Sequence, residues 1–241
     1  MKDVKLMDRT DTKYWFHVSQ LADLLEEIRD DYFVLEIDGQ KLLPYSTTYF
    51  DTQNNGMYTQ HHNGKLNRYK VRRRSYVSSG ISFLEVKQKT NKGRTIKERI
   101  RTEYDNPHFT TRENEFLIKQ IPHDPNELSP VLSNRFTRLT LVSKNYNERC
   151  TIDLNLEFES KNKTCRLDKI AIVEIKSEGN SNGSPIASAL FEKRIRIGGF
   201  SKYCIGRVVT DAQIKRNAFK GKIRRLEKAT QKNLNLYHQN S

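Results

Sequence analysis

The chain has 241 residues, with 43 Lys+Arg against 29 Asp+Glu, a formal net charge of +14. Only 35% of it is hydrophobic and its mean hydropathy is −0.80, and its apolar runs, such as residues 170–173, fall far short of the roughly 20 residues that cross a bilayer. Composition thus excludes a membrane-spanning chain, and 11 Tyr and 11 Phe exclude wholesale disorder.

Three cysteines, Cys150, Cys165 and Cys204, show neither CxxC nor His-rich spacing, so neither a disulfide framework nor a zinc site is favoured. No apolar leader opens the sequence. The reading is a soluble, cytoplasmic, basic protein whose excess of cations points to an anionic partner.

Period-two alternation predicts a first strand over residues 13–18. Ser19 is placed to cap a helix whose Leu21, Leu24, Leu25 and Ile28 share one face. Strands follow over 45–51, 67–77, 82–89 and 95–102, with Asn63-Gly64, Ser79-Gly80 and Lys92-Gly93 as hairpin connections. A helix over 111–119 lies in a stretch punctuated by Pro107, Pro122, Pro125 and Pro130. Strands are again predicted over 134–143, 149–158 and 169–176, then a mobile Gly/Ser/Asn-rich loop over 177–184. Asp211 is placed to cap a basic helix carrying Ile214, Phe219, Ile223 and Leu226, and beyond Lys228 the tail is polar and frayed. No internal repeat is present. The pattern gives an α+β domain on a many-stranded, mainly antiparallel sheet over residues 1–210, followed by the basic helix and tail over 211–241.

Because side chains two apart on a strand share a face, Lys70, Arg72, Arg74 and Tyr76 stand together, as do Glu85, Lys87 and Lys89, and Lys97, Arg99 and Arg101. Arg149, Thr151 and Asp153 oppose Cys150 and Ile152, and Glu174 and Lys176 oppose Ala171, Val173 and Ile175. Arg138 sits among Phe136, Thr140 and Val142. A solvated sheet face is the plain explanation for charge in alternation, yet such a face normally mixes signs. Here the cations dominate strand after strand, with Glu85, Asp153 and Glu174 standing singly among them. Two like charges about 4 Å apart repel by roughly 4 kcal/mol at an effective dielectric near 20. A polyanion among them turns that repulsion into attraction, and Arg supplies forks that bind two phosphate oxygens at once.

The ordered motifs Asp11-Thr12-Lys13-Tyr14-Trp15, Tyr49-Phe50-Asp51-Thr52, residues 69–76 (YKVRRRSY), Leu84-Glu85-Val86-Lys87 and Phe200-Ser201-Lys202-Tyr203 resemble the VTC domain. That family is similar to the triphosphate tunnel metalloenzymes, which include CYTH-type cyclases and triphosphatases. The resemblance covers residues 5 to 207 and implies an antiparallel β-barrel tunnel with peripheral helices. The implied activity is transfer of the ATP γ-phosphate to a growing polyphosphate chain, with Mn or Mg as cofactor. It also implies roles: Lys13, Arg72, Arg74, Lys87, Lys97, Arg138, Arg149 and Lys202 as catalytic phosphate-handling cations, Tyr76, Ser201 and Lys176 as substrate contacts, and Glu174 as metal ligand. Where the superfamily's ExExK signature has two acids, this sequence has Arg9 and Asp11, and Gly199 stands where the eukaryotic polymerase carries a basic residue.

The expected partners are ATP and polyphosphate, with a membrane protein as possible export partner and no nucleic acid. The basic segment 215–228 reads as an amphipathic helix with its cations in water. The rival functions are a triphosphatase of the same fold and a non-catalytic triphosphate or polyphosphate binder.

Overall fold

The computed structural model describes residues 9–103, 108–161, 163–178 and 183–234. Ten strands and six α-helices occur among the described residues, in the order β1 (Arg9–His17), α1 (Leu21–Glu27), β2 (Tyr32–Val34), β3 (Leu43–Thr52), α2 (Gly56–His62), β4 (Arg68–Tyr76), β5 (Ile81–Lys89), β6 (Thr95–Thr102), α3 (Thr111–Gln120), β7 (Leu128–Ser143), β8 (Glu148–Ser160), β9 (Lys163–Leu167), β10 (Ile170–Glu178), α4 (Pro185–Glu192), α5 (Lys202–Thr210) and α6 (Lys220–Thr230). The strands lie in the order β1-β10-β8-β7-β3-β4-β5-β6, with β2 added to β7 and β9 to β8. This is the expected antiparallel α+β sheet. Among the described residues its ladder is not closed by hydrogen bonds, since β1 and β6 end the order.

The chain divides into two compact units, the first from Met1–Leu43, Phe136–Leu156 and Leu167–Phe200, the second from Pro44–Arg135, Glu157–Arg166 and Ser201–Ser241. In the first, β1 pairs with β10 over nine residues and β10 with β8. Alternation sends Tyr14, Phe16, Cys150, Ile152, Ala171, Val173 and Ile175 to one side, where Leu21 and Leu24 of α1 and Ile186, Ala189 and Leu190 of α4 close the core. On the other side Trp15 meets Phe200 edge-on at 6.3 Å. A Cβ at Gly198 would stand 2.9 Å from the Trp15 indole nitrogen, so the close approach of that segment requires glycine.

In the second unit Phe50, Val71, Leu84 and Val86 pack on Met57 of α2 and Leu117 of α3. Thr110 and Glu113 form a reciprocal capping box at the start of α3, and Glu113 also holds the buried Arg73 guanidinium at 2.9 Å. Asp51, fully buried at the end of β3, accepts from the Met57 and Tyr58 backbone N–H groups at 2.8 and 2.9 Å and so starts α2.

Several local expectations are corrected. Ser19 does not cap α1. It lies inside a short 3-10 turn, where its N–H donates to His17 Nδ1, and α1 begins without a side-chain cap. Asn63-Gly64 does not join two strands. It follows α2, which the Asp51 carboxylate nucleates from a distance that strand periodicity does not see. Asp211 ends α5 instead of starting α6, because Arg207 one turn earlier holds its carboxylate at 2.8 Å. Ser79-Gly80 and Lys92-Gly93 do connect β4 to β5 and β5 to β6. Ile223 and Leu226 of α6 are buried as expected. Residues 179–182 of the Gly/Ser/Asn-rich loop and 235–241 of the tail lie outside the described residues.

Candidate functional site

Register decides which cations stand side by side. In the second unit, Lys70, Lys87 and Lys97 form one row across β4, β5 and β6, Arg72, Glu85 and Arg99 a second, and Arg74, Phe83 and Arg101 a third. On β3, Tyr49 stands opposite Arg72 and Thr47 opposite Arg74. The intervening residues Val71, Leu84, Val86 and Ile100 face α3, so alternation leaves the charged residues together on the other face.

Glu85 is the one carboxylate in these rows. It is buried, its Oε2 accepting from Arg72 Nε at 2.7 Å and Nη2 at 2.6 Å, with Lys97 Nζ 2.5 Å from Oε1. Burial pushes the Glu85 carboxyl up, but Arg72, Arg74 and Lys97 outweigh it and hold the group well below the usual carboxylate range. Burial draws Lys97 below the ordinary lysine range, with Glu85 opposing the shift and Arg72 and Arg74 adding to it. One carboxylate among so many cations leaves a positive excess, which a ligand with several anionic oxygens can neutralise.

Ser201 caps α5, its hydroxyl oxygen accepting from the Cys204 N–H at 3.3 Å, and Lys202 opens the helix. The next residue, Tyr203, lies 5.1 Å from the Tyr49 ring, with Lys70 Nζ 5.8 Å above its own ring. Its hydroxyl donates to Asp51 at 2.5 Å. Through these contacts α5 is held against the cationic face of β3 and β4.

In the first unit the cross-strand rows are Asp11, Lys176 and Arg149, then Lys13, Glu174 and Thr151, then Trp15, Ile172 and Asp153. The Lys13 ammonium donates to the Glu174 carboxylate. Lys176 Nζ lies 2.7 Å from Asp11 Oδ1 and 3.4 Å from Glu174 Oε1, so one cation bridges two carboxylates. Arg138 grips Asp153 as a fork, Nε to Oδ1 at 2.6 Å and Nη2 to Oδ2 at 2.9 Å. Arg149 is exposed beside Lys176 in the register.

Of the residues expected from the sequence, Lys13, Arg138, Arg149, Glu174 and Lys176 gather on the first unit's sheet. Arg72, Arg74, Tyr76, Lys87, Lys97, Ser201 and Lys202 belong to the second. Lys70, expected on the second unit's charged face, and Tyr203, part of the last motif, share it although neither was assigned a site role. Asp11 and Glu174 suit a divalent cation, because they already share one ammonium between them. Magnesium commonly takes one or two carboxylates and completes its shell with water and substrate phosphate. Among the described residues no three His, Cys, Asp or Glu side chains gather to hold a metal by themselves.

Among solved structures the chain is similar to a candidate adenylate cyclase of Bacillus halodurans, with a TM-score of 0.54 at 11% identity, covering 81% of this chain and 96% of that one. It is also similar to a candidate adenylyl cyclase of Hippeastrum, described as having a dominant triphosphatase activity, with a TM-score of 0.53 at 16% identity, covering 83% and 95%. At such identities these likenesses establish the fold. No curated protein matches the chain. The VTC domain model matches residues 8–210. With most of its length matched and both charged sheet faces inside that span, the chain belongs to the VTC domain family.

Proposed function

We propose that the chain is a phosphotransferase of the polyphosphate polymerase type, moving the γ-phosphate of ATP onto the end of a polyphosphate chain. The observation that carries this reading is the set of cation rows on β4, β5 and β6, whose single carboxylate is already bound by Arg72 and Lys97. Phosphoryl transfer asks the protein mainly for positioning and charge neutralisation. Arg72, held rigidly by Glu85, presents a fixed guanidinium to phosphate oxygens, while Arg74, Lys87 and Lys97 supply neighbouring charge. Lys13, Arg138, Arg149 and Lys176 are assigned the same work in the first unit, and Ser201 and Lys202 at the start of α5.

Transfer is favoured over hydrolysis on chemical grounds. Activating water needs a carboxylate with an oxygen free to take up a proton, and both Glu85 oxygens are engaged, one by Arg72 and one by Lys97. Asp11, Asp153 and Glu174 each lie against a Lys or Arg. A terminal phosphate of polyphosphate is already ionised and needs no base. Glu174, with Asp11, would hold Mn or Mg. Bound there with substrate, the metal would supply further neutralisation of phosphate charge.

Incubation of the purified chain with ATP and Mn, resolved on a polyacrylamide gel, should give a ladder of polyphosphate. Free phosphate without a ladder would replace this reading with a triphosphatase, the activity described for the Hippeastrum protein. Binding without turnover under any divalent metal would leave a non-catalytic binder.

A further inference from the structure

The cation rows of the second unit end in aromatic side chains. Beyond the row of Arg74, Phe83 and Arg101, the next register positions hold Tyr76 opposite Ile81 and Tyr45 opposite Tyr76. The ring centroids of Tyr45 and Tyr76 are 5.0 Å apart, and those of Tyr76 and Phe83 6.0 Å apart at an interplanar angle of 85°. Tyr45 is buried, whereas Tyr76 and Phe83 are half-buried. The apolar core of this sheet lies on the opposite face, so its packing does not account for rings placed here. The exposed Arg99 sets its guanidinium carbon 4.6 Å from the Phe83 ring centroid, and Arg74 sets its own 6.0 Å from that of Tyr45.

Two rings at right angles form a corner that accepts a flat heterocycle, its face on one ring and its edge toward the other. A guanidinium plane extends such a platform, since arginine stacks on bases as it does on aromatic side chains. Along β5, Phe83 lies four residues from Lys87, about 13 Å at the rise of a strand. An extended nucleoside triphosphate covers a comparable span from its terminal phosphate to its base.

We infer that Phe83 and Tyr76, with the Arg99 guanidinium over the Phe83 ring, form a stacking platform for the base of a nucleoside triphosphate whose phosphates lie along the adjoining cation rows. The inference rests on the phosphate-binding reading above and adds to it the part of the substrate that is not phosphate. The cluster offers ring faces and a guanidinium plane, so it selects flatness and ring area over a particular base edge. ATP and GTP are therefore expected to bind alike, and both more tightly than UTP.

The test is titration calorimetry with ATP, GTP, UTP and inorganic tripolyphosphate, in EDTA to prevent turnover, on the wild-type chain, Phe83→Leu and Phe83→Trp. The readout is the ratio of ATP affinity to tripolyphosphate affinity. Phe83→Leu should lower it about tenfold, the loss of one base–aromatic stack, by weakening ATP alone. Phe83→Trp, with its larger ring, should hold or raise it. A ratio unchanged in both variants, or UTP binding as tightly as ATP, overturns the platform while the phosphate reading stands. Failure of the wild-type chain to bind either ATP or tripolyphosphate overturns the phosphate reading, and the platform with it.

Discussion

Replacing Glu85 by Gln keeps the side chain's shape and removes its charge at the point where three cations converge. The Arg72 side chain is 8% exposed and that of Glu85 0%, whereas Lys97 is 36% exposed. Lys97 can turn its ammonium toward water, so its share is that of a surface pair, about 1 kcal/mol or less. Arg72 has no such escape, and stranding one member of a buried ion pair costs about 3–5 kcal/mol. For a chain of this length each kcal/mol lowers the melting temperature by about 2–4 °C, so Glu85→Gln should melt roughly 6–20 °C below the wild type. Calorimetry of Glu85→Gln, Arg72→Met and the double variant forms a cycle. The double variant leaves no stranded charge and should cost clearly less than the two singles added together. The pH dependence has a defined sign. Because the folded carboxyl lies below its unfolded value near 4.3, the stability it brings is complete above that pH and is lost as pH falls toward the folded value. Glu85→Gln should flatten this acid limb. A melting temperature within about 2 °C of the wild type would refute the account of Glu85 as the counter-charge of a buried arginine.

Two further perturbations probe the second unit. His61 donates its Nε2–H to the Tyr69 carbonyl oxygen at 3.0 Å and meets the Tyr203 ring edge-on at 6.0 Å. Burial, and then the neighbouring Lys70, pushes its pKa down to about 3. Its contribution is therefore complete above the ordinary histidine value, about 6.5, and is lost as pH falls from there toward the folded value. The half-buried ring makes this a loss of roughly 2–3 kcal/mol, and His61→Gln should remove it from a urea-denaturation series between pH 7 and 4. Retention of the full slope in the variant would assign it elsewhere. In α5, a Cβ added at Gly206 would meet Phe158 Cδ1 at 2.5 Å and Leu132 Cδ2 at 2.6 Å. Gly206→Ala should therefore destabilise the fold by about 1–3 kcal/mol, and an unchanged melting temperature would show that the helix can back away from the sheet.

The alternating faces were legible from the residues alone. Lys70, Arg72 and Arg74 on one side of β4 and Lys97, Arg99 and Arg101 on one side of β6 follow from the two-residue period of a strand, and the structure places Val71, Leu84, Val86 and Ile100 on the core side, with Arg73 bound there by Glu113. The short helices α2, α4 and α5 were not legible. α2 depends on the Asp51 carboxylate six residues before Met57, and α5 on the fit of Gly206 against Leu132 and Phe158. Asp211 misled because a carboxylate ahead of a helical segment reads as an N-cap, while its actual partner, Arg207, lies one turn before it.

Sequence by itself determined which residues of each strand share a side, because the direction of a side chain on a pleated backbone depends only on its parity. It also determined the family, through motifs that keep their order along the chain. Only the tertiary structure decided which cations meet which acids. Arg72 and Lys97 converge on Glu85, and Lys176 bridges Asp11 and Glu174, because strand pairing and register bring distant residues within a few ångströms. Those contacts depend on hydrogen bonding between segments far apart in the chain, a relation that local spacing does not encode.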